Sequence, residues 1–511
     1  MKKHILKITS VFLLIFAASC DNYLDINQDP NVLADTDQAK IIVPSAQVNL
    51  AHTLMGWDLG FAGGFWSEYW TQSYTASQFK TLCEYEDGSS TNFEDAYTEF
   101  TSGVLVDTKR ITELAEVSGE NGYAYISEAI SIFTWQVMTD LWGDVPYFEA
   151  LSGNEGILSP KFDKAEDIYA DLELRIDALL NIDISTLSSI DSKFDFVFEG
   201  DLSKWKLFAN SLKLKLMMRQ SETPAYDNAA VITFINNTSF LTESAKIIGA
   251  EYWDDAQEGK RHPMREFQEG GANYLSTNVI GCKTFIDYLA NNSDPRVDAL
   301  FTAPSGGHEG AFFGDFDSKD DSDGDGTLDE DEDYSEALFA GTTDLVIMSA
   351  WEVNFFIAEA YARANDLTNA KAFYDAGVAA SLTQHGITDM TIITTGYAAW
   401  VDGTTEENIE QIAMQRWVAN ANYQHTESFI DRNRTKYPSV SEIDIKADRQ
   451  DANNNFPVGQ LTISVNGREK TNGNLPASPI YPTDVLNRNT NAPGQKTSLL
   501  EKIWWDQKAG K

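Results

Sequence analysis

Between Asn354 and Gly377, small and aromatic residues recur at helical spacing on two consecutive segments. Ile357, Ala358 and Tyr361 lie on the first; Ala370, Tyr374 and Gly377 lie on the second. Residues three and four apart share one face of a helix. Small residues on that face let two axes approach, and tyrosines fill the gaps beside them. A pair of this kind cannot bury its outer faces alone, so it calls for further helices stacked on it. Ala165 with Tyr169 is a weaker echo. Helical periodicity also marks segments near 39–55, 60–80, 92–117, 122–141, 163–182, 202–220, 281–290, 348–364, 367–383 and 405–430.

The expected fold is therefore all-α: tetratricopeptide-like helix pairs carrying long irregular loops. The loops fall at about 240–280, 300–345 and 440–500, which are rich in Gly, Asn, Asp, Thr and Pro. Loops that long inside a folded protein are usually functional. The chain is 511 residues with 42% hydrophobic content, enough for a sizeable core.

The start of the chain has a different character. Met1-Lys2-Lys3-His4 is basic, Ile5 to Phe16 is mostly apolar, and Ala17-Ala18-Ser19 precedes Cys20. A charged head, a short apolar run and small residues describe an export signal over residues 1–19. A cysteine directly after them resembles the lipobox of bacterial lipoproteins, in which that cysteine is lipidated and becomes the new N-terminus. Residues 20–38 are polar and turn-rich and read as a lipidated tether, leaving 39–511 as one helical domain. The formal net charge is −40, and loss of the three cations Lys2, Lys3 and Lys7 takes it to about −43. So acidic a surface repels nucleic acid and anionic lipid headgroups, so attachment to a membrane must come from the lipid. No later segment reads as transmembrane. Cys83 and Cys282 form at most one bridge, or stay as buried free thiols.

Several blocks, in order, resemble the SusD/RagB family of Bacteroidetes outer-membrane lipoproteins. They are Thr139-Asp140-Leu141-Trp142-Gly143-Asp144-Val145-Pro146-Tyr147, Pro160-Lys161-Phe162-Asp163 with Ile168-Tyr169, and Gly200-Asp201-Leu202-Ser203-Lys204-Trp205 with Ala209-Asn210-Ser211-Leu212-Lys213-Leu214. Asp294-Pro295-Arg296, Glu352-Val353-Asn354-Phe355 with Ala358-Glu359-Ala360-Tyr361, Tyr481-Pro482 and Trp504-Trp505-Asp506 continue the series. The Gly-Asp-Val-Pro-Tyr region and the tail look most like the starch-binding, outer-membrane-associated branch. The resemblance implies a SusD-like α/α superhelix, exposed at the cell surface. It implies a non-catalytic protein that captures oligosaccharide, or in RagB-like relatives peptide, for a SusC-like TonB-dependent transporter. The blocks themselves read as structural. Gly143 suits a helix end, Trp205 and Phe208 suit core anchors, Asn210 suits a carbonyl tie, and Asp294-Pro295-Arg296 suits a turn with a charge pair.

Candidate sites lie elsewhere. The run 57–74 holds Trp57, Phe61, Phe65, Trp66, Tyr69, Trp70 and Tyr74. Aromatic faces stack on sugar rings, but Trp66, Trp70 and Tyr74 at i, i+4 and i+8 also suit a core stripe. The loop 252–274 offers Tyr252, Trp253, Asp254, His262, Arg265, Asn273 and Tyr274, with Trp253 and Tyr274 as stacking residues. Asp321, Asp323, Asp325, Thr327, Asp329 and Glu332 occupy the ligand positions of a twelve-residue EF-hand loop, with Gly326 at its turn. Eleven acids between 315 and 333 face only Lys319, so a structural calcium ion is expected there; a solvated acidic tract is the alternative. No GxSxG, HExxH, phosphate-loop or dinucleotide motif is present. The readings in competition are a glycan-binding surface lipoprotein, a peptide-binding relative, a lipid-anchored glycoside hydrolase and a calcium-dependent assembly protein.

Overall fold

The computed structural model describes residues 38–73, 76, 78–257, 259–265, 278–316 and 334–511. Cys20 and the signal, the tether as far as residue 37, Tyr74, Asn273, Tyr274 and the whole 321–332 calcium motif lie outside the described residues.

Helices dominate, as the periodicity requires. Those of nine residues or more are α1 (Ala39–Leu54), α2 (Trp57–Trp66), α3 (Val106–Ser118), α4 (Asn121–Trp142), α5 (Ala165–Leu180), α6 (Leu202–Arg219), α7 (Asn228–Asn236), α8 (Lys283–Asn291), α9 (Ala350–Arg363), α10 (Leu367–Gln384), α11 (Thr405–Asn420) and α12 (His425–Thr435). Three two-stranded antiparallel ribbons accompany them: Trp70–Gln72 with Val279–Gly281, Val145–Pro146 with Phe162–Asp163, and Ala245–Ile247 with Leu345–Met348.

Two expected helices break. The segment 60–80 leaves the helix after Trp66. Glu68 takes a left-handed backbone (φ 54°), and Trp70 then pairs as a strand opposite Gly281. Trp66 and Trp70 are therefore not on one helical face. A dense aromatic run fits either periodicity, and here the strand pairing decided. The segment 405–430 divides at Asn422, which has φ 66°. The buried His425 ring holds that break. Its Nε2 accepts from the Asn422 N–H at 2.9 Å, so Nδ1 carries the proton and donates to the Gly60 carbonyl at 2.7 Å.

Sequence neighbours pack as hairpins, α3 with α4, α5 with α6 and α9 with α10, and α11 joins the last pair. In the α9–α10 pair, Ala358 and Ala370 are fully buried, and a Cβ on Gly377 would sit 2.8 Å from the Phe355 ring. The two tyrosines spend their hydroxyls on neighbouring elements outside the pair. Tyr361 donates to Asn236 at 2.8 Å, and Tyr374 to the Ala398 carbonyl at 3.0 Å. The structural readings of the family-like blocks hold: Trp205 and Phe208 are buried, Asn210 donates to the Ser239 carbonyl at 2.9 Å, and Arg296 pairs with Asp294 at 2.6 Å. Cys83 and Cys282 are free and buried.

A buried ionic core runs between these helices. Arg219 meets Asp140 at 2.8 Å, and Lys215 meets Glu352 and Glu427, each at 2.8 Å. Glu359 accepts from Arg434 at 2.6 and 2.7 Å, while Asp431 pairs with both Arg434 and Arg416 at 2.6 Å. Five helices (α4, α6, α9, α11 and α12) are tied by charges that alternate in sign, the arrangement that keeps buried ions tolerable.

Candidate functional site

A cleft of about 430 Å³ opens where α1 turns into α2. The turn is tight: a Cβ on Gly56 would lie 2.7 Å from the His52 carbonyl oxygen. It sets Trp57 and Asp58 at the first turn of α2, facing Asn49, His52 and Thr53 of α1. Asp95 and Glu99 form the opposite wall, and Pro263 closes one side. The Trp57 ring is half-buried and braced by Phe61 (5.2 Å between centroids) and Phe79 (4.9 Å).

The electrostatics of the cleft follow from partial burial. Asp58 accepts from the Ala96 N–H at 3.0 Å, yet burial raises its carboxyl to about 6. Burial lowers the His52 pKa, with Glu99 opposing that effect, so the imidazole is neutral at physiological pH. The cleft thus offers one rigid indole, one amide and several hydroxyl-accepting carboxylates. That set stacks on a ring and bonds its hydroxyls.

The sequence candidates separate on this geometry. Trp66 and Trp70 are 2% and 0% exposed, so they belong to the core and are withdrawn as ligand contacts. The aromatic run supplies Trp57 instead, its first member. Among the described residues of the second segment, only Pro263 reaches the cleft. Tyr252 packs tilted against Phe196 at 4.4 Å, and Trp253 packs edge-on to the buried His262 at 6.1 Å. Neither lines the cleft. Arg265 locks the segment by pairing with Asp255 (2.7 Å) and donating to the Phe339 carbonyl (3.0 Å). His52, Asp58 and Glu99 were not read from sequence. The available signal was Gly56 interrupting the helical pattern immediately before Trp57-Asp58.

A tyrosine-lined cavity of about 410 Å³ lies at α10 and α11, with Tyr288, Tyr374 and Tyr397 under a rim of Asp402, Glu407 and Glu410. Among the described residues no cluster of three or more His, Cys, Asp or Glu is placed to hold a metal ion, and no helix is long and apolar enough to cross a membrane.

A helical array of this design is the fold of SusD-like proteins. The chain belongs to that family: the SusD-like family model described as starch-binding, associating with the outer membrane, matches residues 30–459. Solved structures agree on the fold. A SusD homologue from Bacteroides uniformis is 20% identical, superposes with a TM-score of 0.70, and is matched over 91% of this chain and 99% of its own. A chitin-binding SusD homologue from Flavobacterium johnsoniae is 17% identical, with a TM-score of 0.69 over 92% of this chain and 99% of its own. A SusD homologue from Bacteroides fragilis is 19% identical, with a TM-score of 0.66 over 92% and 100%. Comparison with curated proteins returned no match.

Proposed function

We propose that this protein is a non-catalytic, glycan-binding surface lipoprotein that captures oligosaccharide and passes it to a SusC-like TonB-dependent outer-membrane transporter. One observation carries the reading. The family model, described as starch-binding and outer-membrane-associated, spans residues 30–459, most of the chain. The Trp57 cleft supports a binding role, and the lipobox-like sequence ending in Cys20 supports a lipid anchor. A calcium ion held by Asp321, Asp323, Asp325, Thr327, Asp329 and Glu332 would order the acidic loop. The peptide-binding reading draws no support from the cleft, whose stacking indole and carboxylates suit ring hydroxyls better than a peptide backbone.

Calorimetric titration of the mature chain with starch-type and chitin-type oligosaccharides tests the proposal. Trp57→Ala should weaken binding about tenfold or more while leaving the melting temperature nearly unchanged, since the ring is half-buried. Unaltered affinity would remove the cleft from the function. Release of shortened products during the incubation would establish a hydrolase instead.

A further inference from the structure

A second cleft lies beyond the same loop. Its wall includes Phe339, whose ring meets the buried His262 ring at 4.7 Å. Pro263, the next residue after His262, lines the Trp57 cleft, so the two cavities are linked through the 262–263 step and Phe339. The second cavity measures about 540 Å³ and is also lined by Tyr423, His385, Gln384, Asn422 and Thr343.

Three features define its chemistry. The first is a ring corner: Tyr423 and His385 meet edge-to-face at 5.4 Å, and Trp351 braces Tyr423 from behind at 5.7 Å. The second is open hydrogen-bonding capacity. Asn422 is only 7% exposed, and its Nδ2 donates to the Leu338 carbonyl at 2.9 Å, but its Oδ1 has no partner among the described residues. The Thr343 hydroxyl is likewise unpartnered among them. The His385 Nε2 is buried with no hydrogen-bond partner among the described residues, and a buried polar atom left open is costly unless a ligand or water satisfies it. The third is the lack of positive charge. No Lys or Arg lines the cavity, and burial, reinforced by Arg296, lowers the His385 pKa to about 4, which keeps its imidazole neutral. Glu336 is the single acid in the lining.

We propose that this cavity is a second binding site for an uncharged sugar ring, separate from the Trp57 cleft, with which it shares no lining residue. Rings for stacking, an amide oxygen and a hydroxyl fit a neutral polyol and give a charged ligand no counter-ion of its own. The ligand class rests on the function proposed above; the existence of a separate site rests on the cavity.

The two are distinguished by saturation-transfer NMR titrations with maltotriose and chitotriose on the mature chain. Trp57→Ala should leave a residual binding event for the trisaccharide that the wild-type protein takes. Adding Asn422→Gly, which keeps the left-handed backbone that φ 66° demands, should weaken that event about tenfold. Thr343→Val in the Trp57→Ala background is the second variant and should weaken it too, so the test stands even if Asn422→Gly melts early. If Trp57→Ala alone abolishes all transfer, or if the residual binding survives both further substitutions, the second site is refuted and the first reading stands. If the wild-type chain binds neither trisaccharide, both readings fall.

Discussion

Glu359→Gln tests whether the buried charges hold the helical array together. Arg434 reaches the two Glu359 oxygens at 2.6 and 2.7 Å, Arg363 approaches at 2.9 Å and Arg416 at 3.3 Å. Glutamine keeps the shape and one acceptor oxygen, but it sets an amide N–H against a guanidinium N–H. Each charge-assisted hydrogen bond contributes about 1.5–3 kcal/mol, and breaking a buried pair costs about 3–5 kcal/mol. Asp431 remains 2.6 Å from both Arg434 and Arg416, so those cations keep a partner and the loss should fall near the lower figure, about 3 kcal/mol. Urea unfolding followed by tryptophan fluorescence should show a lower midpoint with an unchanged slope. The pH dependence supplies an independent check. Burial alone would raise the Glu359 carboxyl, but Arg434, Arg363 and Arg416 outweigh it and hold the pKa well below 4.5. A depressed folded pKa means stability that is present above the unfolded value and lost as pH falls below it. The gap between wild type and variant should therefore close on acidification below about pH 4.5. A loss smaller than about 1 kcal/mol at pH 7, or a gap that stays constant down to pH 3, would refute the argument.

Glu68 should behave in the opposite sense. Burial raises its carboxyl to about 8, against hydrogen bonds from Thr284 and Thr462, so the folded protein holds a proton that the unfolded chain releases near pH 4.5. Wild-type stability should fall as pH rises from 4.5 to 8, and Glu68→Gln should flatten that profile and gain roughly 3 kcal/mol by pH 7; parallel profiles would show that Glu68 is ionised in the fold. Chelation of calcium should lower the melting temperature of the mature chain, and purified protein that contains no calcium and melts identically with chelator would dismiss the 321–332 site. Cys20→Ser should move the protein out of the outer-membrane fraction, and retention there would refute the lipid anchor.

The repeating part of the fold was legible because its signal is local. Ala358, Tyr361, Ala370, Tyr374 and Gly377 meet within one hairpin, and a period of 3.6 suffices to find them. The aromatic run was only half legible. Seven rings in eighteen residues announce burial, but nothing in their spacing says that Trp57 stays half-exposed while Trp66 and Trp70 go to the core. The ionic core was not read at all, because a charge on a buried face looks like a gap in the apolar stripe. Glu427, Asp431 and Arg434 stand at i, i+4 and i+7, one face of α12, and that was the available sign. The loops are set by bonds between residues far apart in sequence. The Thr462 N–H donates to Glu68 at 2.8 Å, and Asn433 donates to the Ala477 carbonyl at 3.2 Å. No window of sequence contains both ends of such a bond.

These hidden elements connect to the clefts through one short segment. Glu427, Asp431 and Arg434 fix α12 in the ionic core, and the turn that opens α12 carries Asn422 and Tyr423 into the second cavity. At the same turn His425 donates to the Gly60 carbonyl of α2, one turn beyond Trp57. Burial lowers the His425 pKa to about 4, so this bridge stays uncharged and intact across the physiological range. Binding groups are only as well placed as the shell that supports them. Here the support for both clefts includes the His425 imidazole, the Thr426 hydroxyl that donates to the Leu59 carbonyl at 3.4 Å, and a helix anchored by buried charge. That gives the ionic core a role that stability alone does not require: equivalent apolar packing could hold α12 as firmly, but directional charge pairs also fix its rotation. The same His425 ring that accepts from the Asn422 N–H also donates to Gly60 of α2, so the first residue of α12 ties the second cavity to the helix that carries Trp57.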